Sequence, residues 1–202
     1  MSVNEEIFQE FRRIGQFLDR RGLISSHGGN LSVRQGEKMI VKRRGAMLGD
    51  LRPWDIVEMP IKEIDSKILI ASTESLVHQA VYRETDHLAV VHCHPVYTIA
   101  LSLIEDEITA IDAEGAFNLK KIPILDLKLP IGPREAAIHV PKVLTNYKVV
   151  VIRSHGIVAG AETLEEALNW ATVCEEVSTI RYLTMLTGKP LLRDVSKEFH
   201  DW

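Results

Sequence analysis

The sequence predicts an α/β fold, a three-layer αβα sandwich in which helices cover both faces of a central, mainly antiparallel sheet. Helical segments alternate with single strands and with groups of strands, an order that favours antiparallel or mixed pairing under covering helices. A chain of 202 residues is close to one typical domain of about 150 residues, so residues 1–202 are expected to form a single domain. With 46% hydrophobic residues it needs no metal merely to fold, and a bound metal would be functional.

Charge and cysteine content narrow the class of function. The 24 basic and 28 acidic residues sum to −4 without a long run of one sign, which argues against a nucleic-acid-binding surface. The two cysteines are far apart and form no CxxC pair, which is typical of the reducing cytosol. The N-terminus is polar, and purely apolar stretches are short, so neither a signal peptide nor a membrane span is expected. We therefore expect a cytoplasmic protein that acts on a small molecule.

The first third of the chain begins with a predicted helix and continues as a hairpin. Ser2 and Glu5 have the spacing of a capping box. Apolar residues then recur at helical intervals, namely Ile7, Phe8, Phe11, Ile14 and Leu18. The helix is expected to end near Gly22, and residues 31–34 and 38–42 are predicted to pair as strands after a polar loop.

The middle of the chain is predicted to add two more strands, a helix and a buried strand. Residues 56–59 and 67–70 are rich in β-branched residues and are expected to pair in antiparallel fashion. The pattern becomes helical over residues 72–83 and returns to an apolar strand over residues 88–94. Pro95 suits the first position of the next helix.

The last third is predicted to contain two helices around another buried strand. Residues 108–129 read as strand and loop, because prolines punctuate them, and Pro133 opens a helix. An apolar strand follows over residues 149–152. Thr163 and Glu166 then form a capping box that starts a long final helix.

Histidines at two predicted strand ends indicate a metal site. His92 and His94 are two residues apart on a strand, so their rings project to one side while Cys93 points to the other. His155 follows the strand formed by residues 149–152, and adjacent strand ends would bring the three rings to one Zn²⁺ ion. Glu74, at the opening of its helix, could serve as a fourth ligand or as a base. Each residue alone has an ordinary structural interpretation, and the combination favours the metal.

A second group of residues could hold a phosphate. The loop over residues 26–30 contains two glycines and Asn30, whose amides could cradle an anion. Cationic and hydroxyl donors nearby are Arg43, Arg44, Ser72 and Thr73. Taken alone, the loop is a plain turn and residues 42–44 are a solvated surface cluster.

These pieces together resemble the class II aldolase/adducin family over nearly the whole chain. They stand in family order at residues 28–34, 45, 72–74, 91–94 and 154–156. The resemblance implies that Glu74, His92, His94 and His155 bind one zinc ion per chain and that Glu74 is also the acid/base. It implies substrate-phosphate contacts by Asn30, Gly45, Ser72 and Thr73. The implied reaction is reversible cleavage of a ketose 1-phosphate of the fuculose phosphate kind, with zinc stabilising the enediolate oxygens.

The sequence departs from this family in two places. Residues 42–44 replace a threonine-rich segment by three cations, so the substrate could carry a carboxylate; Arg44 is the expected anion contact. Residues 111–115 contain no tyrosine to act as a proton donor. A dehydratase or decarboxylase that uses the same zinc site therefore stays open, as does, on weaker grounds, a non-enzymatic adducin-like module. The resemblance also implies a homotetramer. Separately, the tail at residues 199–202 carries two large aromatic side chains that would be costly to leave in water, so we expect it to dock on its own or a neighbouring subunit.

Overall fold

The computed structural model describes residues 5–63 and 65–197. Its helices are α1 Glu5–Arg20, α2 Ser75–Glu84, α3 Val96–Ser102, α4 Ala113–Asn118, α5 Pro133–Leu144 and α6 Leu164–Leu186. Its strands are β1 Asn30–Gln35, β2 Lys38–Lys42, β3 Ile56–Pro60, β4 Ala89–Cys93, β5 Glu107–Thr109, β6 Lys121–Leu125, β7 Val149–Ile152 and β8 Gly156–Ala161. Ser2 of the expected capping box and the aromatic tail at residues 199–202 lie outside the described residues.

The strands form one eight-stranded sheet in the order β3-β2-β1-β4-β8-β7-β6-β5. Only β6 and β7 run parallel within the described chain, and every other neighbouring pair is antiparallel. This confirms the predicted central, mainly antiparallel sheet. Among the described helices, none has the length and apolar character needed to cross a bilayer.

Two cores, one on each face of the sheet, complete the three layers. One face packs against α1, α3, α4 and α6, and its core includes Val91 and Cys93 of β4. The other face packs against α2 and α5, and its core includes Val90. Because side chains alternate along a strand, His92 shares the second face with Val90 and points towards the start of α2.

Several predicted boundaries are confirmed, and their local causes are visible. The final helix begins where Thr163 Oγ1 accepts a hydrogen bond from the Glu166 amide at 3.1 Å. α5 begins at Pro133, as predicted. The helix after β4 begins at Val96, one residue beyond the predicted Pro95. α1 ends at Arg20, two residues before Gly22.

The predicted strand at residues 67–70 is wrong. Residues Ser66–Leu69 form one turn of 3₁₀ helix, which the Asp65 side chain caps by accepting from the Lys67 amide at 2.8 Å. Leu69 is 72% exposed, so the apolar pattern here did not mark a buried strand. β3 pairs with β2 instead.

Two elements were not predicted at all. α4 lies within the stretch read as strand and loop, and its N-terminus is capped by Asp112, whose carboxylate accepts from the Gly115 amide at 2.8 Å. β8 is a glycine-containing strand that inserts between β4 and β7. The sequence predicts that the strands leading to His92 and His155, β4 and β7, are neighbours in the sheet, and this is wrong because β8 lies between them. His155 lies in the turn between β7 and β8.

Candidate active site

Three histidines converge at one end of the sheet. His92 lies on β4, His94 just beyond its end, and His155 in the turn between β7 and β8. The Nε2 atoms of His92 and His94 are 2.9 Å apart, and the His155 ring centroid lies 4.9 Å from that of His92 and 5.2 Å from that of His94. One potential ligand atom from each ring lies within 4.8 Å of the others, so the three could hold a single ion.

The hydrogen bond of His92 orients its ring for metal binding. Nδ1 lies 2.8 Å from the carbonyl oxygen of Ile157 on β8. A carbonyl oxygen can only accept, so Nδ1 carries the proton and the neutral ring has its lone pair on Nε2. That lone pair faces the other two imidazoles, an arrangement common in metal-binding histidines.

The turn that carries His155 is fixed by its neighbour Arg153. The Arg153 guanidinium donates to the carbonyl oxygens of Ser102 and Glu105 and, at 2.8 Å, to the carboxylate of Asp106. These acceptors all lie at or after the end of α3. The position of the His155 ring therefore depends on these contacts with the end of α3 and the residues after it.

Glu74 lies at the N-cap of α2, against the histidines. Its Oε2 atom is 3.0 Å from Nε2 of His92 and accepts a hydrogen bond of 2.7 Å from Nδ2 of Asn30. Its Oε1 atom is 3.8 Å from Nε2 of His155. The carboxylate therefore stands beside the cluster with its two oxygens directed at different rings.

The electrostatics of the cluster favour an ionised glutamate and neutral outer imidazoles. Burial raises the pKa of the Glu74 carboxyl, but His92, Asn30 and His155 together outweigh burial and hold that pKa far below its usual value. Burial, reinforced by the neighbouring histidines, lowers the pKa of His94 to about 3 and also lowers the pKa of His155. For His92 burial acts in the same direction, but the Glu74 carboxylate outweighs it and raises the pKa.

The glycine loop before β1 packs directly on the histidines. A Cβ atom at Gly28 would lie 2.9 Å from Nδ1 of His94. Gly29 has a φ of +67°, and a Cβ there would lie 2.9 Å from the carbonyl oxygen of His92. The two glycines therefore permit a close approach of the main chain to the histidines, in addition to the anion binding expected of the loop.

A cavity of about 160 Å³ joins this cluster to the predicted anion contacts. Besides Glu74 and the three histidines, it is lined by His27, Asn30, Lys42, Arg44, Gly45, Ser72, Thr73 and Ile131. The predicted metal ligands and the phosphate contacts implied by the family therefore line one cavity together with Arg44, whereas Arg43 does not line it. His27 belongs to the predicted anion loop, whereas no sequence pattern points to Ile131.

Lys42 is the residue that sequence reasoning placed wrongly. It is only 3% exposed, and its Nζ atom donates to the carbonyl oxygens of His27 at 3.0 Å and Gly29 at 2.9 Å. Burial lowers the pKa of its ammonium to about 8. Arg43 and Arg44 are exposed, as a solvated cluster would be, but Lys42 anchors the glycine loop. The signal available was its place at the end of an apolar strand.

The chain matches a known protein family over most of its length. Residues 9–182 match the family described as Class II Aldolase and Adducin N-terminal domain. The chain is 31% identical over 184 residues to the L-fuculose phosphate aldolase of Methanococcus vannielii, a match that covers 90% of this chain and 98% of that protein. It is 32% identical over 174 residues to the Escherichia coli K12 protein of the same name, a match that covers 84% and 79%.

A solved structure gives the same result. The L-fuculose-1-phosphate aldolase of Thermus thermophilus superposes with a TM-score of 0.87 at 34% sequence identity, covering 94% of this chain and all of that one. The chain therefore belongs to the class II aldolase and adducin family and is a lyase of its aldolase branch.

Proposed function

We propose that this chain is a zinc-dependent aldolase that cleaves a ketose 1-phosphate of the fuculose phosphate kind to dihydroxyacetone phosphate and an aldehyde. The observation that carries the proposal is that one cavity of about 160 Å³ contains both the three-histidine cluster and the predicted phosphate contacts. A phosphorylated ketose needs both, because its carbonyl must be polarised while its phosphate is held a few bonds away.

The donor set fits one zinc ion per chain. His92, His94 and His155 would hold it, with Glu74 as a fourth ligand, and the lone pair that His92 directs into the cluster suits this role. Three neutral imidazoles leave the charge of the ion intact. When bound, the ion supplies a Lewis acid that draws electron density from the substrate carbonyl oxygen.

Glu74 is the group that moves the proton at the carbon beside the carbonyl. Cleavage breaks the bond between this carbon and the carbinol carbon, and the bonding electrons pass to the carbon beside the carbonyl. The carbinol hydroxyl gives its proton to water as the aldehyde forms. Glu74, which is ionised at rest, takes up a proton from water and passes it to the carbon that received the electrons, so that the carboxylate is restored. Glu74 suits the reverse step as a base, because it is held ionised beside His92.

The anion contacts are Asn30, Arg44, Gly45, Ser72 and Thr73. Arg44 at the cavity rim supplies charge, and the hydroxyls of Ser72 and Thr73 supply neutral donors next to Glu74. The buried ammonium of Lys42 adds a second positive charge beneath the loop. This combination suits a dianionic phosphate.

A dehydratase or decarboxylase of the same family is the alternative. It is favoured by the absence of a tyrosine at residues 111–115, where Asp112 caps α4 instead. The non-enzymatic adducin-like alternative has no support in a chain with the full histidine set and aldolase relatives.

A substrate screen tests the proposal. Zinc-loaded protein is incubated with phosphorylated ketoses and with sugar acid phosphates, and dihydroxyacetone phosphate, water-loss products and carbon dioxide are measured. We expect dihydroxyacetone phosphate from at least one ketose 1-phosphate. Product only from dehydration or decarboxylation would replace the aldolase assignment with the alternative.

We also propose that residues 1–202 form one domain of a cytoplasmic homotetramer. Large apolar side chains left exposed on the single chain support an assembly, among them Ile131 at 80%, Leu69 at 72% and Trp54 at 63% exposure. The thiols Cys93 and Cys174 are both free, which suits a reducing compartment. Light scattering at micromolar concentration is expected to give the tetramer mass, and a monomer would contradict it.

A further inference from the structure

Three buried polar side chains that the proposed reaction does not use connect β1 to α2 behind Glu74. The Ser32 hydroxyl lies 2.6 Å from Nδ1 of His78 and 2.6 Å from the phenol oxygen of Tyr82. All three side chains are buried to within about 1% of complete. Polar groups buried this deeply cost stability unless they bond to one another, so the group is a specific feature and not a chance contact.

The spacing of these residues links them to Glu74. Asn30 and Ser32 lie two apart on β1 and share one face of the strand, while Glu74, His78 and Tyr82 lie four apart and share one face of α2. Asn30 bonds to Glu74 at the N-cap, and Ser32 bonds to His78 and Tyr82 within the helix. A slide or rotation of α2 on the sheet would break both sets of bonds together, so the contacts of Ser32 fix where the helix places Glu74.

The network carries no net charge of its own. Burial lowers the pKa of His78 to about 3 and raises the pKa of Tyr82, so both are neutral at pH 7. The Ser32 hydroxyl has one proton for its two neighbours, and therefore at least one of them donates to it. Such a neutral chain fixes position without shifting the charge on Glu74.

We propose that Ser32, His78 and Tyr82 form a positioning network that sets the distance between the Glu74 carboxylate and the three histidines. The inference rests on the proposed function where it takes Glu74 as the proton-transferring group. The predicted change in the distance between Glu74 and the histidines, which a metal bound there would report, does not depend on which substrate the protein uses.

The first test compares two buried serines. Ser32→Ala removes both hydrogen bonds without adding volume. Ser178→Ala is the matched control, because Ser178 is equally buried and its hydroxyl bonds to Thr98 and Cys174 on the other face of the sheet. We expect kcat to fall about tenfold to a hundredfold in Ser32→Ala with KM within about twofold, the cost of displacing a reacting group by about 1 Å. Ser178→Ala is expected to lose comparable thermal stability with unchanged kcat.

The second test uses conservative rescue. In His78→Asn the amide can occupy the place of Nδ1 and keep the bond to Ser32, whereas His78→Leu cannot. We expect His78→Asn to retain most of kcat and His78→Leu to lose it as Ser32→Ala does. This pair also decides the question if Ser32→Ala fails to fold.

The third test asks whether the network acts through Glu74. In a Glu74→Ala background, Ser32→Ala is expected to cause no further loss of rate, because the group it positions is absent. The Co²⁺-substituted Ser32→Ala protein is expected to show a shifted visible absorption spectrum, and Ser178→Ala an unchanged one.

Two results would overturn the inference. One is an equal, small effect of Ser32→Ala and Ser178→Ala on both kcat and the Co²⁺ spectrum; the other is an undiminished effect of Ser32→Ala in the Glu74→Ala background. Failure of the wild-type protein to cleave or enolise any phosphorylated ketose would instead contradict the proposed function. The Co²⁺ spectra would still decide the positioning network in that case.

Discussion

Asn30 donates its side-chain amide to Oε2 of Glu74 over 2.7 Å, which joins the predicted anion site to the predicted proton-transferring group. Asn30 Nδ2 has two hydrogens, so one bond to Glu74 leaves one for a substrate oxygen. Its Oδ1 atom is buried without a hydrogen-bond partner among the described residues. One side chain can therefore orient the carboxylate and contact the substrate together.

Replacing Glu74 by glutamine keeps the shape of the side chain and removes its basicity. We expect Glu74→Gln to lower kcat by about 10²–10⁴-fold, the usual contribution of general acid–base catalysis, with the fold unchanged. The exchange of dihydroxyacetone phosphate protons with deuterated water isolates the step at the carbon beside the carbonyl. If Glu74→Gln exchanges these protons at the wild-type rate, Glu74 does not transfer the proton in that step.

Removing one imidazole tests the metal centre. We expect His92→Ala to lose the roughly one zinc per chain of the wild type, because two remaining imidazoles hold the ion poorly. The surface histidine His139 on α5 supplies the control, and His139→Ala is expected to keep the metal. Metal content is measured by elemental analysis after dialysis against a weak chelator.

The fold of the metal-free protein is a separate readout. Circular dichroism of His92→Ala is expected to match the wild type, because the two cores that flank the sheet do not include the histidines. Unfolding that accompanies metal loss would identify the site as structural.

Arg43 and Arg44 form a natural pair for testing anion recognition. Arg44 lines the active-site cavity, while Arg43 lies in a separate depression beside Trp54. A charge-assisted hydrogen bond contributes about 1.5–3 kcal/mol, so Arg44→Ala is expected to raise KM about tenfold to a hundredfold with little change in kcat. Arg43→Ala is expected to leave KM unchanged. If the two substitutions raise KM equally, the positive charge of the surface attracts the anion and Arg44 makes no specific contact with it.

Periodic patterns predicted β4, β7 and the longer covering helices, because each has an apolar face whose spacing depends only on local geometry. They could not place β8, whose glycines resemble a loop and whose strand state comes from pairing with β4 and β7. The place of Lys42 at the end of an apolar strand is a local hint of burial, but its two carbonyl acceptors belong to the preceding loop, and local patterns do not show such a tertiary contact.

Lys42 is expected to control the mobility of the glycine loop. In Lys42→Met the carbonyls of His27 and Gly29 lose their donor, and an unsatisfied buried carbonyl costs about 1–3 kcal/mol. Amide hydrogen exchange over residues 25–30 is therefore expected to accelerate at least about tenfold. Lys38→Met, on the same strand but with an exposed bridge to Glu58, is the control and should leave the loop protected. Equal protection in both variants would mean that the glycine packing alone holds the loop.

The buried imidazole of His78 is expected to make the protein sensitive to acid. Burial, aided by His92 and opposed by Glu74, lowers its pKa to about 3 from 6.5. Between these values the unfolded chain binds a proton at this position and the folded chain does not, so the free energy of unfolding falls as the pH falls. The contribution is fully present above pH 6.5 and declines by about 1.4 kcal/mol per pH unit below it.

His78→Asn has no such proton, and the other histidines are common to both proteins. Urea unfolding of the metal-free proteins should therefore show wild type losing about 2–3 kcal/mol relative to His78→Asn between about pH 6.5 and 4.5. Parallel stability curves over that interval would show that His78 takes up its proton in the folded state, and that the neutral network with Ser32 and Tyr82 does not persist in acid.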